Sequence, residues 1–217
     1  VTYTGDVTVG GPADVREAGE LRVTKLAVGA MANNAYLLES RTTGQRLLVD
    51  AADDAPALLR LLGDEPLQRV VTTHRHADHW QALGDVVAAT GARTAAGADD
   101  VEGIPVATDD PLAHGDEVWV GDMGLRVVAL RGHTPGSVAL LHEAADGSVH
   151  LFTGDALFPG GPGRTTSPAD FTSLMDDLER EVFGPLPDAT WVYPGHGADT
   201  TLGAERPSLG AWRARGW

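Results

Sequence analysis

The chain is 217 residues long, carries a formal net charge of −15 with a pI near 4.7, and contains no cysteine. Its length is enough for one continuous core, so residues 1–217 are expected as a single domain, with roughly the first 20 read as an extension of it. The acidic balance opposes an extended phosphate-binding surface and excludes nucleic acid as the expected partner, and the missing thiols exclude disulfides and a cysteine nucleophile.

No stretch of about 18 apolar residues occurs, and no basic start is followed by an apolar run. Neither a membrane span nor an export signal is therefore expected, and the cytoplasm is the default location. Segments 21–28, 35–39, 47–50 and 69–73 are short, β-branched or apolar, with Gly, Asn or Asp between them, and are predicted strands. A helix is predicted over 56–62, with Asp54 as its cap, Pro56 in its first turn and Gly63 at its end.

Directly after the apolar pair Val70-Val71 comes Thr73-His74-Arg75-His76-Ala77-Asp78-His79, with three histidines and an aspartate inside six positions. Neutral nitrogen donors beside a hard oxygen donor suit zinc, iron or manganese, so the segment reads as a metal-binding turn. A second helix is predicted from 78 to 90, burying Trp80, Leu83, Val86 and Val87, closed by Gly91 and starting at this cluster. Segments 116–120 and 125–130 are predicted to pair around Gly121-Asp122-Met123-Gly124, and 138–142 and 149–153 around Asp146-Gly147. Ser167-Pro168 starts a further helix whose stripe of Phe171, Leu174, Met175, Leu178 and Val182 is core, and 190–193 is a late strand.

Three later segments each place one ligand-type residue beside glycine or proline at the end of an apolar run. They are Gly132-His133-Thr134-Pro135-Gly136, Thr153-Gly154-Asp155-Ala156 and Tyr193-Pro194-Gly195-His196-Gly197. Singly each is an ordinary turn, but together with the first segment they contain five of the eight histidines. His114, His142 and His150 lie outside the pattern and are read as surface residues.

This ordered series resembles the metallo-β-lactamase superfamily, and more closely its glyoxalase II-like hydrolases, over roughly residues 23–207. The resemblance implies an α/β fold, a four-layer αββα sandwich with metals along one edge. It implies that His74, His76 and His133 hold one divalent metal, that Asp78, His79 and His196 hold a second, and that Asp155 bridges them. Two zinc ions are expected, with iron as the alternative. The activity implied is hydrolysis of a small-molecule thioester or ester, with Asp78 as the catalytic residue that both ligates and orients the attacking water. The missing cysteine argues against a β-lactamase of the cysteine-ligand type.

Other members carry the same ligands for other chemistry, namely iron-dependent persulfide dioxygenases and lactonases. The Pro194-Gly195-His196-Gly197 form of the last motif favours hydrolysis over the dioxygenase. A non-catalytic metal-stabilised binding protein is the least favoured reading, because it would not need all seven ligands. Only 21 residues follow His196, so the helical domain with which glyoxalase II holds glutathione is not expected, and Gly197-Ala198 replace its acidic residue and tyrosine. Four further positions are candidates. Arg164, in the glycine-rich loop after Asp155, is either a substrate-carboxylate partner or an exposed loop residue. Asn34, or Tyr36 beside it, either touches substrate or serves turn and packing. Trp80 either lines the pocket or packs beneath the helix, and Asp50 is either a partner of a ligand histidine or a turn residue. Oligomeric state is not legible.

Overall fold

Two β-sheets packed face to face form the centre of the protein, whose residues 2–216 are described by the computed structural model. The first sheet contains β1 (Asp14–Ala18), β2 (Leu21–Val28), β3 (Asn33–Ser40), β4 (Arg46–Val49), β5 (Arg69–Thr72), β6 (Arg93–Gly97) and β7 (Asp110–Leu112), in that spatial order. Strands β1 to β4 are antiparallel meanders, and β4 to β7 are parallel. Helices α1 (Ala55–Leu62) and α2 (Leu83–Thr90) make two of the crossovers, as parallel pairing requires. The second sheet holds β8 (Glu117–Val120), β9 (Met123–Ala129), β10 (Val138–Glu143) and β11 (Val149–Gly154). A small ribbon of β12 (Leu157–Phe158) and β13 (Gly161–Pro162) follows, then helix α3 (Pro168–Asp177). Strand β14 (Trp191–Pro194) joins β11 in parallel, and β15 (Thr200–Thr201) closes that edge before α4 (Leu202–Glu205) and α5 (Leu209–Arg215).

Three buried apolar clusters separate these layers. One lies between the sheets, with Leu21, Val23, Leu38, Val71, Leu125, Leu140, Phe152 and Tyr193 among its members. A second joins the outer face of the first sheet to α1 and α2 through Leu48, Val70, Leu58 and Val86, and a third joins the second sheet to α3 and α5 through Leu151, Leu174 and Trp212. The result is the four-layer αββα sandwich that the resemblance implied.

The expected elements form, with differences that have local causes. Asp54 caps α1 by accepting from the Ala57 amide, and the α3 stripe is buried throughout as the helix runs on into a wider π-type turn, Leu178–Phe183. The helix expected over 78–90 is instead two pieces. A single 3-10 turn, Ala77–His79, is followed by a break, because the Gln81 and Ala82 amides donate to the Ala52 and Ala51 carbonyls at 3.0 and 3.1 Å rather than up the chain. α2 therefore starts at Leu83, and its N-terminus does not face the histidine cluster. Leu83 and Val86 are buried as expected, whereas Val87 and Trp80 are only partly so.

His114 is exposed, but His142 and His150 are buried, against expectation. They face each other across β10 and β11; His142 lies 3.0 Å from Glu20, and His150 bonds to the Tyr193 hydroxyl and the Ser148 hydroxyl, each at 2.9 Å. Burial first, and then the charges of Arg16 and His142, push His150 down to about 4. The unfolded chain, with an ordinary histidine near 6.5, then binds a proton that the folded chain refuses between those two values. Neutral His150 therefore favours the fold fully above pH 6.5, and that contribution is lost as pH falls toward 4. In chelator-treated protein, His150→Gln is expected to flatten the fall of folding stability between pH 6.5 and pH 4 by at most roughly 3 kcal/mol; thermal melts in which Tm falls across that range with the wild-type slope would contradict this.

Candidate metal centre

All seven expected ligands meet at one edge of the sandwich, each delivered by the loop that follows a strand. β5 ends in the loop with His74, His76, Asp78 and His79; the β9–β10 connection brings His133; β11 ends at Asp155 and β14 at His196. The two sheets are stitched together there by Val138 N to Thr73 O at 2.9 Å and Asn34 N to Gly195 O at 2.7 Å, while Gly195 N to Gly154 O at 2.8 Å continues the pairing of β14 with β11. Gly195 is required by close approach, since a Cβ there would overlap Asp155 Oδ1 and lie 2.7 Å from His79 Cε1.

His74 Nε2, His76 Nδ1 and His133 Nε2 form a triangle with sides of 2.9, 3.1 and 3.2 Å. Nitrogens that share one cation at about 2.0–2.1 Å lie about 2.9–3.4 Å apart, so this spacing fits a single divalent ion. Asp78 Oδ2, His79 Nε2 and His196 Nε2 form a second group, with Asp78 3.3 Å from His196 and 3.6 Å from His79. Asp155 stands between the groups, its Oδ1 3.3 Å from His79, its Oδ2 3.5 Å from His196 and 3.7 Å from His133.

The outer nitrogens of four rings are spent on the protein. His74 Nδ1 reaches Thr73 Oγ1 at 3.1 Å, and that hydroxyl already donates to Asp50, so it accepts from the ring. His79 Nδ1 donates to Asp50 at 2.8 Å, His133 Nδ1 to the Arg164 carbonyl at 2.6 Å and His196 Nδ1 to the Met31 carbonyl at 3.1 Å. Each ring therefore keeps its inner nitrogen for a ligand. His79 Nε2 and Asp155 Oδ1 are both buried without a hydrogen-bond partner. A buried, unpartnered donor pair amid converging nitrogens fits a bound cation.

Electrostatics agree. Burial, then the charge of the neighbouring His79, drives His74 well below the ordinary histidine range, and burial with His133 lowers His76; both stay neutral donors. Burial opposes charge on His79 too, but the carboxylates of Asp50 and Asp155 outweigh it and raise His79 to about 10. Burial likewise works against Asp155, yet the His196 and His79 rings beside it hold it far below the carboxylate range. The site is thus built to carry positive charge beside Asp155.

Asp50 resolves its two readings by being both. It sits at φ 58 immediately after β4, and its buried carboxylate accepts from the Thr73 amide at 2.7 Å and the Thr73 hydroxyl at 2.9 Å as well as from His79. Asn34 does not face the site: its buried amide donates to the Pro194 and Gly197 carbonyls, each at 2.9 Å, and Tyr36 also donates to Pro194 at 2.6 Å. The side chain that enters is its neighbour Asn33, which donates to Asp78 at 2.9 Å and lies 3.3 Å from His196 Nε2. Trp80, partly buried, packs against the α1–α2 cluster and donates to the Arg75 carbonyl at 2.8 Å, which ties its ring to the histidine loop. Exposed Arg164 lines a cavity of about 500 Å³ next to His133, together with Pro162, Phe171 and Arg215. Asp100 was not singled out from the sequence; fully buried, it accepts from Arg75 N at 3.0 Å, Thr134 Oγ1 at 2.5 Å and Gly136 N at 2.9 Å, tying the His74–His76 loop to the His133 loop.

Residues 28–196 match the model of the Metallo-beta-lactamase superfamily. The hydroxyacylglutathione hydrolase of Fuscovulum blasticum is 36% identical over 167 residues, which are 76% of this chain and 62% of that protein. The chain thus spans about three fifths of the length of this curated relative. Among solved structures, ETHE1 from Myxococcus xanthus superposes with a TM-score of 0.74 at 32% identity, covering 85% of this chain and 81% of that one. A protein named TTHA1623, in a di-iron-bound form, gives 0.72 at 31% identity, covering 84% of this chain and 96% of that one.

His74 belongs to two of the three donor groups and His196 to one. Elemental analysis after dialysis is therefore expected to find roughly one divalent ion per chain in His196→Ala and less in His74→Ala. Wild-type metal content in His74→Ala would contradict the geometry. Gly195→Ala is expected to lose metal as His74→Ala does while keeping a folded circular dichroism spectrum.

Proposed function

The chain belongs to the metallo-beta-lactamase superfamily, and we propose that it is a metal-dependent hydrolase whose seven donors hold two divalent cations and whose substrate is a small-molecule thioester or related ester. The observation that carries this reading is the convergence of all seven donors in overlapping groups, with His79 Nε2 and Asp155 Oδ1 buried 3.3 Å apart and without a hydrogen-bond partner. In this reading His74, His76 and His133 hold one ion, Asp78, His79 and His196 the other, and Asp155 reaches both. Two such cations, when bound, supply a nucleophilic water at neutral pH and polarise the substrate carbonyl.

The protein's own groups then have separable tasks. Asn33 fixes Asp78 through Oδ2, so Asp78 both ligates and orients the water, and hydrogen bonding to Asn33 keeps it ionised despite burial. Asp50, Arg164 O and Met31 O lock the tautomers of His79, His133 and His196. The Phe158 ring, 6.3 Å from that of His196, gives the acyl group an apolar wall on one side. Arg164 and Arg215 line the 500 Å³ cavity, and among the described residues neither is joined to a carboxylate by an ion pair. In a chain of net charge −15, two such cations in one cavity suit a substrate bearing its own carboxylate.

A thioester is favoured by the name of the hydroxyacylglutathione hydrolase relatives. Zinc is the preferred ion, because nitrogen and carboxylate donors suit it and hydrolysis needs no redox change. The likeness to ETHE1 keeps the iron-dependent persulfide dioxygenase as the second reading, and the di-iron form of TTHA1623 keeps iron as the alternative ion. Among the described residues no helix is long and apolar enough to cross a membrane, and action in the cytoplasm is part of the same proposal.

With a thioester that carries a carboxylate, Arg215→Ala and Arg164→Ala are expected to raise KM about 10-fold or more with kcat nearly kept, and to leave a neutral thioester unaffected. Steady-state kinetics on such a matched pair of substrates test this. Equal effects on both would remove the arginines from substrate recognition, and no turnover of any thioester or ester by the zinc-loaded protein would overturn the hydrolase reading.

A further inference from the structure

Lys25 stands where an apolar residue belongs. The inward-facing positions of β2 are Leu21, Val23, Lys25 and Ala27, and the lysine side chain is 0% exposed. Its ammonium has three N–H donors and meets three groups that can only accept: the Gly5 carbonyl at 2.5 Å, the Gly197 carbonyl at 2.7 Å and the Asp199 carboxylate at 2.6 Å. The other oxygen of Asp199 takes the Tyr3 hydroxyl at 2.6 Å and the Trp191 indole N–H at 2.8 Å.

A buried ion pair is a poor way to stabilise a core, because removing two charges from water costs more than a well-packed apolar pair of the same volume. This one is placed where it fastens a particular piece of backbone. Gly197 follows His196 directly, and Asn34 donates to the same Gly197 carbonyl. Lys25 thus grips the turn from one side and, through Asp199, from the other. The opposite half of the metal centre is held by a different buried charge, Asp100, which touches the Arg75, Thr134 and Gly136 backbone or side chain and none of the Lys25 network.

We propose that Lys25 is a positioning residue for the Asp78–His79–His196 half of the metal centre, holding the turn after His196 so that its ring stays directed at Asp78 and Asp155, while Asp100 does the same for the His74–His76–His133 half. The inference rests on the two-ion reading of the site and not on the thioester reading.

The test is competition for zinc between a chromophoric chelator and the metal-free full chain, in wild type, Lys25→Met, Lys25→Met/Asp199→Asn, Asp100→Asn, His196→Ala and His76→Ala, with thermal melts alongside. The double variant removes both buried charges and is expected to fold even where Lys25→Met does not. It is expected to bind one zinc as wild type does and the second about 10- to 100-fold more weakly, a milder copy of His196→Ala, while Asp100→Asn copies His76→Ala. A merely structural lysine would lower the melting temperature without this split. Two zinc ions bound with wild-type affinity in the double variant, or both weakened alike, would overturn the proposal. Fewer than two zinc ions in the wild type would overturn the two-ion reading beneath it.

Discussion

The carboxylate of Asp50 is the contact on which the histidine loop depends. β4 and β5 are parallel neighbours, with Val49 beside Val71, so the ends of both strands emerge at the same edge and Asp50 stands next to Thr73. One side chain, held at φ 58, then accepts from Thr73 N, Thr73 Oγ1 and His79 Nδ1. Bonds to an ionised acceptor are about twice as strong as neutral ones, and these three all fall within a single loop. Through Thr73 Oγ1 the same carboxylate also settles which nitrogen of His74 faces inward. The position obeys a general property of open sheets with parallel strands, whose ligands gather beyond the carboxyl ends.

The rest of the centre follows from the meeting of two sheets. Neither sheet carries a complete donor set: the first supplies His74, His76, Asp78 and His79, and the second His133, Asp155 and His196. Five imidazoles crowded together with their lone pairs converging, and a carboxylate oxygen left unpartnered, make a locally unfavourable arrangement in the metal-free protein. The fold offsets it with buried polar anchors, Asp50, Asp100, Asn34 and Lys25, whose partners Thr73, Arg75, Thr134, Pro194 and Gly197 lie one or two residues from a donor. None of these would be chosen for stability alone, and each is spent on backbone groups of a ligand-bearing loop. That distribution favours the cation site proposed above over a histidine-rich surface turn.

Much of this was legible in the sequence, for physical reasons. Short apolar or β-branched runs between turn residues marked β2, β3 and the two hairpins, and Asp54, Pro56, Ser167 and Gly91 marked helix ends through their capping chemistry. The seven side chains that cluster were legible because dense histidine beside glycine-rich strand ends has few structural uses. β6, with the sequence Arg-Thr-Ala-Ala-Gly, was not, because its extended form comes from pairing between β5 and β7 rather than from its own propensity. The start of α2 is not legible because the Gln81 and Ala82 amides that break it bond far upstream, to the Ala52 and Ala51 carbonyls. His150 looked like a strand-surface residue until the packing of β11 against β14 enclosed it. Choosing Asn34 over Asn33 is the one-residue ambiguity of any strand whose two faces are both buried. Lys25 did carry a signal, a charge at an inward position of a clean alternating strand, and Asp100 carried none.

Stepwise zinc titration of the metal-free protein, followed by turnover of a carboxylate-bearing thioester, tests the central claim most directly. The account predicts that hydrolysis stays low through the first equivalent and rises to its full value with the second. Full activity at one equivalent, or activity that appears with one iron and oxygen and never with zinc, would contradict a hydrolase that works through two ions held by these seven residues.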